Sequence, residues 1–124
     1  MYTSDAIFLT VNSFYQKATT DILIGYHFKN IPDFSIHIQH ISSFWRWHIL
    51  KTPYPSSFPP IRLMAKHIPL KIKKGELHRW VKLFNETLDE NSGGLDPAHL
   101  ELWKSKIEEF KNIFLQNKFL FPFD

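Results

Sequence analysis

In the stretch from Arg62 to Phe84, RLMAKHIPLKIKKGELHRWVKLF, His67 lies in a short apolar segment, and Trp80 opens an aromatic stripe thirteen residues later. An imidazole in such a setting offers one nitrogen that a metal can take as a ligand, although a lone histidine is more often a surface or capping residue. Two further positions carry the same ambiguity. Tyr15 falls on the apolar stripe of a helical pattern, so its hydroxyl is either satisfied within the core or is a donor aimed into a ligand pocket. His37 and His40 are an i, i+3 pair that can clasp a metal, but no third ligand follows at zinc-like spacing, and a zinc site is not expected.

The other chemistry-bearing residues narrow the classes. The chain has no cysteine, which excludes disulfides, thiolate ligation, iron–sulfur clusters, cysteine-based zinc sites and covalent haem attachment through a C-x-x-C-H run. Seven of the 15 Lys and Arg residues lie between Arg62 and Lys82, with Glu76 as the one acid among them. Such a cluster suits an anionic neighbour, either a carboxylate-bearing cofactor or nucleic-acid phosphates, or else it is a solvated basic face.

The elements that position these groups read as helices. With 124 residues the chain is expected to form a single domain, 1–124, that buries well over half of its unfolded surface without help from metals. Hydrophobic residues make up 44% and aromatics 16%, with twelve phenylalanines, more flat apolar surface than a small helical domain needs for its own core. Ser4 is the expected N-cap of a first helix with Ile7, Phe8, Val11, Phe14, Tyr15 and Ala18 on one stripe. After a break near Gly25, Pro32 and Asp33 start a second helix, roughly Phe34 to Leu50. That helix has two apolar faces: His37, Ile41, Phe44 and His48 on one, Phe34, Ile38, Trp45 and Ile49 on the other. Something must pack on each.

The segment KTPYPSSFPP, Lys51 to Pro60, has four prolines and excludes helix. Weak periodicity through Ile61, Leu63, Met64 and Ala65 resumes until Pro69, which leaves His67 at the end of a short turn or helix. A further helix from near Lys74 carries Leu77, Trp80, Val81, Phe84 and Leu88. Asn91 to Leu95 is a turn, and Asp96 with Pro97 opens a last helix with Leu100, Trp103, Ile107, Phe110 and Phe114 inward. The aromatic tail FLFPFD is expected to dock on its own core. No apolar run approaches a membrane span, and the N-terminus lacks the pattern of a secretory signal, so a cytoplasmic protein is expected.

Four runs, SFYQK (Ser13 to Lys17), HIQHISSFW (His37 to Trp45), AKHIPL (Ala65 to Leu70) and RWVKLF (Arg79 to Phe84), taken in order and approximate spacing, resemble the truncated haemoglobins, specifically their third group. The likeness spans roughly Ile7 to Leu88. The double-glycine motifs of the other two groups are missing from the helix junctions, and Gly93–Gly94 lies elsewhere. The resemblance implies an all-α fold, a globin shortened to a two-over-two helical sandwich around noncovalent haem b. It implies His67 as the iron ligand and Tyr15, His37 and Trp80 as the distal residues that stabilise a bound ligand. Phe44, Arg62, Lys66 and His40 become candidates for holding the cofactor, the basic ones through its propionates. The chain departs from the family between Trp45 and His67, where its Pro-rich loop is longer.

The implied ligands are O2, NO or peroxide, and the implied reactions are nitric oxide dioxygenation or peroxide reduction, with a reductase as partner. A non-catalytic O2 or NO sensor or store is the alternative from the binding class. A haem-free helical module that binds nucleic acid through Arg62 to Lys82 is the third. On the leading reading neither nucleic acid nor membrane is a partner, and the protein is a monomer or weak dimer.

Overall fold

The computed structural model describes residues 2–54, 66–117 and Phe121, with residues 2–5 as backbone only. These form four α-helices and no strand: α1 (Tyr2–Ala18), α2 (Phe34–Leu50), α3 (Lys74–Glu90) and α4 (Pro97–Gln116), with 3-10 turns at Gly25–Phe28, Ile68–Leu70 and Ser92–Gly94. The chain is therefore all-α across the described residues. None of their helices is long and apolar enough to cross a membrane.

Local chemistry sets the helix ends. Asp33 is extended and its carboxylate accepts from the Ile36 amide at 3.2 Å, so α2 begins where the sequence marks it. Asp96 accepts from the Ala98 amide at 2.8 Å, and Pro97 supplies a helical φ at the first position of α4. At the start of α3, Glu76 reaches back to accept from the Lys73 amide at 2.8 Å. Lysine has no acceptor with which to complete a reciprocal capping box. α2 ends at Lys51 in the left-handed region, φ 59°, and the Thr52 amide closes back onto Arg46 O at 3.2 Å. A second lysine, Lys71, turns the same way after the Ile68–Leu70 turn, with φ 52°. Both occupy a conformation usually left to glycine or asparagine.

α1 packs on α2 and α3, and α4 packs on α3 and α2. Phe84 lies at their junction. Its ring centroid is 4.5 Å from Phe14 of α1, 5.6 Å from Trp45 of α2 and 5.7 Å from Trp103 of α4. Trp45 and Trp103 also touch each other, at 5.3 Å. The second expected stripe of α2 enters this core through Trp45 and Ile49, with Phe34 against Tyr15. The other stripe, apart from His48, faces a cavity. His48 packs instead on Phe44 and Phe110, at 4.5 and 5.3 Å.

Three expectations need correction. α1 starts at Tyr2, so Ser4 lies inside the helix and is not its N-cap. Phe8 is exposed while Ile7, Val11, Phe14 and Ala18 are fully or almost fully buried, because only one edge of the α1 stripe meets α2 and α3. Trp80 and Leu100 are half-buried at the edge of the core. In the tail, Phe121 is buried, with Lys74 Nζ 5.9 Å from its ring centroid. Positions 55–65, with Arg62 and the apolar run from Ile61 to Ala65, lie outside the described residues, as does the remainder of FLFPFD.

Trp103 is fully buried, and among the described residues its indole N–H has no partner. Trp103→Ala should lower unfolding stability by about 3–5 kcal/mol, while Trp103→Phe, which deletes the orphaned donor and keeps most of the ring, should cost about half of that or less. Urea unfolding of the two variants separates volume from polarity, and equal losses would contradict this account. Asp33→Ala should cost about 1 kcal/mol by the same measurement.

Candidate ligand-binding site

The excess aromatic surface in the sequence surrounds a cavity of about 330 Å³, within the range of small-molecule and cofactor sites. All four helices contribute to its lining, as do the Gly25–Phe28 turn and the segment around His67. Phe44, Phe84, Phe110, Phe114, Ile72 and Leu77 supply apolar surface that excludes water.

The polar groups that reach the cavity are few. Tyr15 from α1 and His37 from α2 meet directly, with 3.1 Å between the phenol oxygen and His37 Nε2. Their rings are edge-to-face at 5.2 Å. Trp80 lines the same cavity from α3, edge-on to Phe14 at 5.8 Å. His67 lines it from the end of a short helical turn, its ring 5.0 Å from Phe114. Lys66 and His40 belong to the lining too. Of the residues singled out from sequence, Tyr15, His37, His40, Phe44, Lys66, His67 and Trp80 thus share one cavity, and Arg62 lies outside the described residues.

Burial pushes the Tyr15 phenol far up, so it keeps its proton at any physiological pH. Burial also lowers the His37 pKa, and its neighbours His40, Lys66 and His67 lower it further. His37 is therefore neutral near pH 7, and one hydrogen lies between it and Tyr15. If His37 carries that hydrogen on Nε2, it donates to the Tyr15 oxygen and the phenol O–H is left to point into the cavity. If the hydrogen is on Nδ1, the phenol donates to the imidazole and is occupied. The cavity can thus present a donor without moving a side chain.

Sequence reasoning missed a second polar group. Glu76 and His27 also line the cavity, and His27 Nε2 lies 3.1 Å from the Glu76 carboxylate, which accepts as well from the Tyr26 hydroxyl. In the sequence Glu76 stands out only as the single acid in a basic run. Arg79 of that run donates to Asp21 from Nε at 3.0 Å and Nη2 at 2.7 Å, while Lys71, Lys73, Lys74 and Lys82 are exposed. The basic cluster is therefore divided between an ion pair, the cavity and solvent. Among the described residues no group of three or more His, Cys, Asp or Glu could hold a bare metal ion.

Burial depresses the imidazole pKa of His37 and of His48. In the unfolded chain both titrate near about 6.5, so below that pH the unfolded state binds more protons than the folded one. Stability should therefore be level between about pH 7 and 9 and should fall as pH drops from about 6.5 through the lowered values, before the carboxylates titrate. The urea midpoint measured across this window should show the decline, and His37→Phe should remove part of it. A midpoint flat from pH 7 to 5 would contradict the assignment.

The chain matches no known family model, no curated protein and no solved structure.

Proposed function

We propose that the chain is a haem b protein of the truncated-globin kind, with the cavity as the haem site and His67 as the ligand to iron. One observation carries the reading: His67 and the trio Tyr15, His37 and Trp80, far apart in sequence, line a single apolar cavity. The donor set fits the group. His67 would give the iron one imidazole, and Tyr15 and Trp80 bring hydrogen-bond donors to the same cavity. The pairing of α1 and α2 against α3 and α4 supports a two-over-two arrangement.

Bound haem supplies an iron with one position open to O2, NO or peroxide. The chain's own residues do the remainder. The phenylalanines, with Ile72 and Leu77, exclude water and so strengthen each polar interaction inside. Lys66 and His40 are positive or protonatable groups for the propionates, and Arg62 is a further candidate. The Tyr15 phenol and the Trp80 indole are donors for a ligand that carries partial negative charge. His37 sets the direction of the Tyr15 hydrogen and is itself able to take or give a proton. Such a pocket retains its ligand, which suits nitric oxide dioxygenation or peroxide reduction with an external reductase. Storage or sensing without turnover is the second reading, favoured by the same donors if no reductase supports a cycle.

The decisive measurement is the absorption spectrum on titration with haem. Wild type should develop a Soret band at one equivalent, and His67→Ala should bind more weakly with an altered band. A wild-type protein that stays colourless would end the haem reading, and identical spectra would remove His67 from its role. Tyr15→Phe should speed dioxygen dissociation by about tenfold, the worth of one hydrogen bond of about 1.4 kcal/mol.

A further inference from the structure

The segment 19–31, between α1 and α2, is a single layer of chain with the cavity on one side and solvent on the other. Ile24, His27, Phe28 and Ile31 line the cavity. Ile22, Leu23, Tyr26 and Lys29 are exposed, Ile22 at 95% of its full area. Its backbone hydrogen bonds are local: Thr19 N to Tyr15 O and Asp21 N to Ala18 O hold its start to α1, and Gly25 N to Asp21 O, His27 N to Ile24 O, Lys29 N to Tyr26 O and Ile31 N to Phe28 O lie within it. No ladder has to break for it to move.

Side chains tie this strap to α3. Asp21 accepts from Arg79, and its other oxygen holds the Leu23 and Ile24 amides at 3.0 and 3.2 Å. Tyr26 and His27 both bond to Glu76. Arg79 and Glu76 are three residues apart and so share one face of the first turns of α3. The ties are charge-assisted and partly shielded, with the Glu76 side chain 12% exposed and that of Asp21 6%. Burial works against ionised Glu76, yet the hydrogen bonds from Tyr26, the Lys73 amide and His27 hold its pKa below the ordinary value. Near neutral pH the carboxylate is charged and Tyr26, its phenol pushed up to about 12 chiefly by the bond to Glu76, is a donor.

We infer that the strap 19–31 is the door of the cavity and that Glu76 and Arg79 are its latch on α3, so that breaking these ties sets the rate at which a ligand enters or leaves. The inference concerns access and holds whatever the cavity binds. It assigns Asp21, Tyr26, Glu76 and Arg79 a role in ligand exchange that needs no contact with the ligand.

The test is stopped-flow mixing of the full chain, without added haem, with 1-anilinonaphthalene-8-sulfonate as an amphipathic aromatic probe. A latched door predicts a wild-type rate that levels off at high probe concentration, at the rate of opening. Tyr26→Phe, which cuts one tie and leaves the bond from Glu76 to the Lys73 amide intact, should raise that limit about tenfold, as should Asp21→Asn. Asp89→Asn, which removes the pair between Lys104 and Asp89 at the other end of α3, should leave it unchanged. A wild-type rate that rises linearly without limit, or a limit equal in all four proteins, overturns the proposal. Hydrogen exchange on wild type keeps it testable if a variant fails to fold. The Leu23 and Ile24 amides should exchange through openings cheaper than those of α2 and α3, and equal protection overturns it as well.

Discussion

The packing of Phe84 against a ring from each of the other helices is the contact on which the fold depends. Phe14, Trp45 and Trp103 converge on it at 4.5 to 5.7 Å, and it is almost fully buried. Aromatic rings in tilted and edge-on arrangements add to the area they bury, and a cluster that joins four helices cannot lose one ring without loosening every pair. Phe14, Trp45 and Phe84 also line the cavity. The cavity therefore has a rigid boundary made by the core itself, and its polar groups are aimed by helices that cannot easily shift relative to one another.

Against this fixed boundary the strap between α1 and α2 is a different kind of structure. Ile24 and Phe28 face inward, Phe28 against Tyr15, and the strap's remaining attachment to α3 is ionic and hydrogen-bonded. Gly25 is needed there for a steric reason. A Cβ on it would stand 2.8 Å from Thr19 O, so the turn after α1 can close only with glycine. The molecule thus combines an aromatic interior that resists change with one thin segment held by bonds that water can replace.

The sequence made α2 and α4 legible because each begins with an aspartate whose side chain finds a backbone amide within the first turn, a local event with a local signature. It also made legible that α2 must be covered on two sides, since both of its stripes are apolar. The start of α1 was not readable, because Ser4 fits a cap equally well as an internal position and the helix extends past it. Asp21 with Arg79 and Tyr26 with Glu76 were invisible for another reason. They join residues 58 and 50 positions apart, and a single long-range pair leaves no periodicity to detect. A partial signal existed in Glu76 itself, a carboxylate at the third position of a helix surrounded by cations. Tyr15, His37, His67 and Trp80 were singled out by type and order, but that they border one space follows only from the folding of the helices.

Lys51 and Lys71, the two left-handed lysines, have a consequence for how the His67 segment is mounted. Each is a corner where the backbone turns at some cost. Lys71 closes the Ile68–Leu70 turn that directly follows His67, and only Ile72 and Lys73 separate it from α3. It does not line the cavity, although Leu70 and Ile72 on either side of it do. The angle at which the chain passes from the imidazole to the helix that carries Trp80 is therefore set by a backbone conformation at a residue outside the cavity wall.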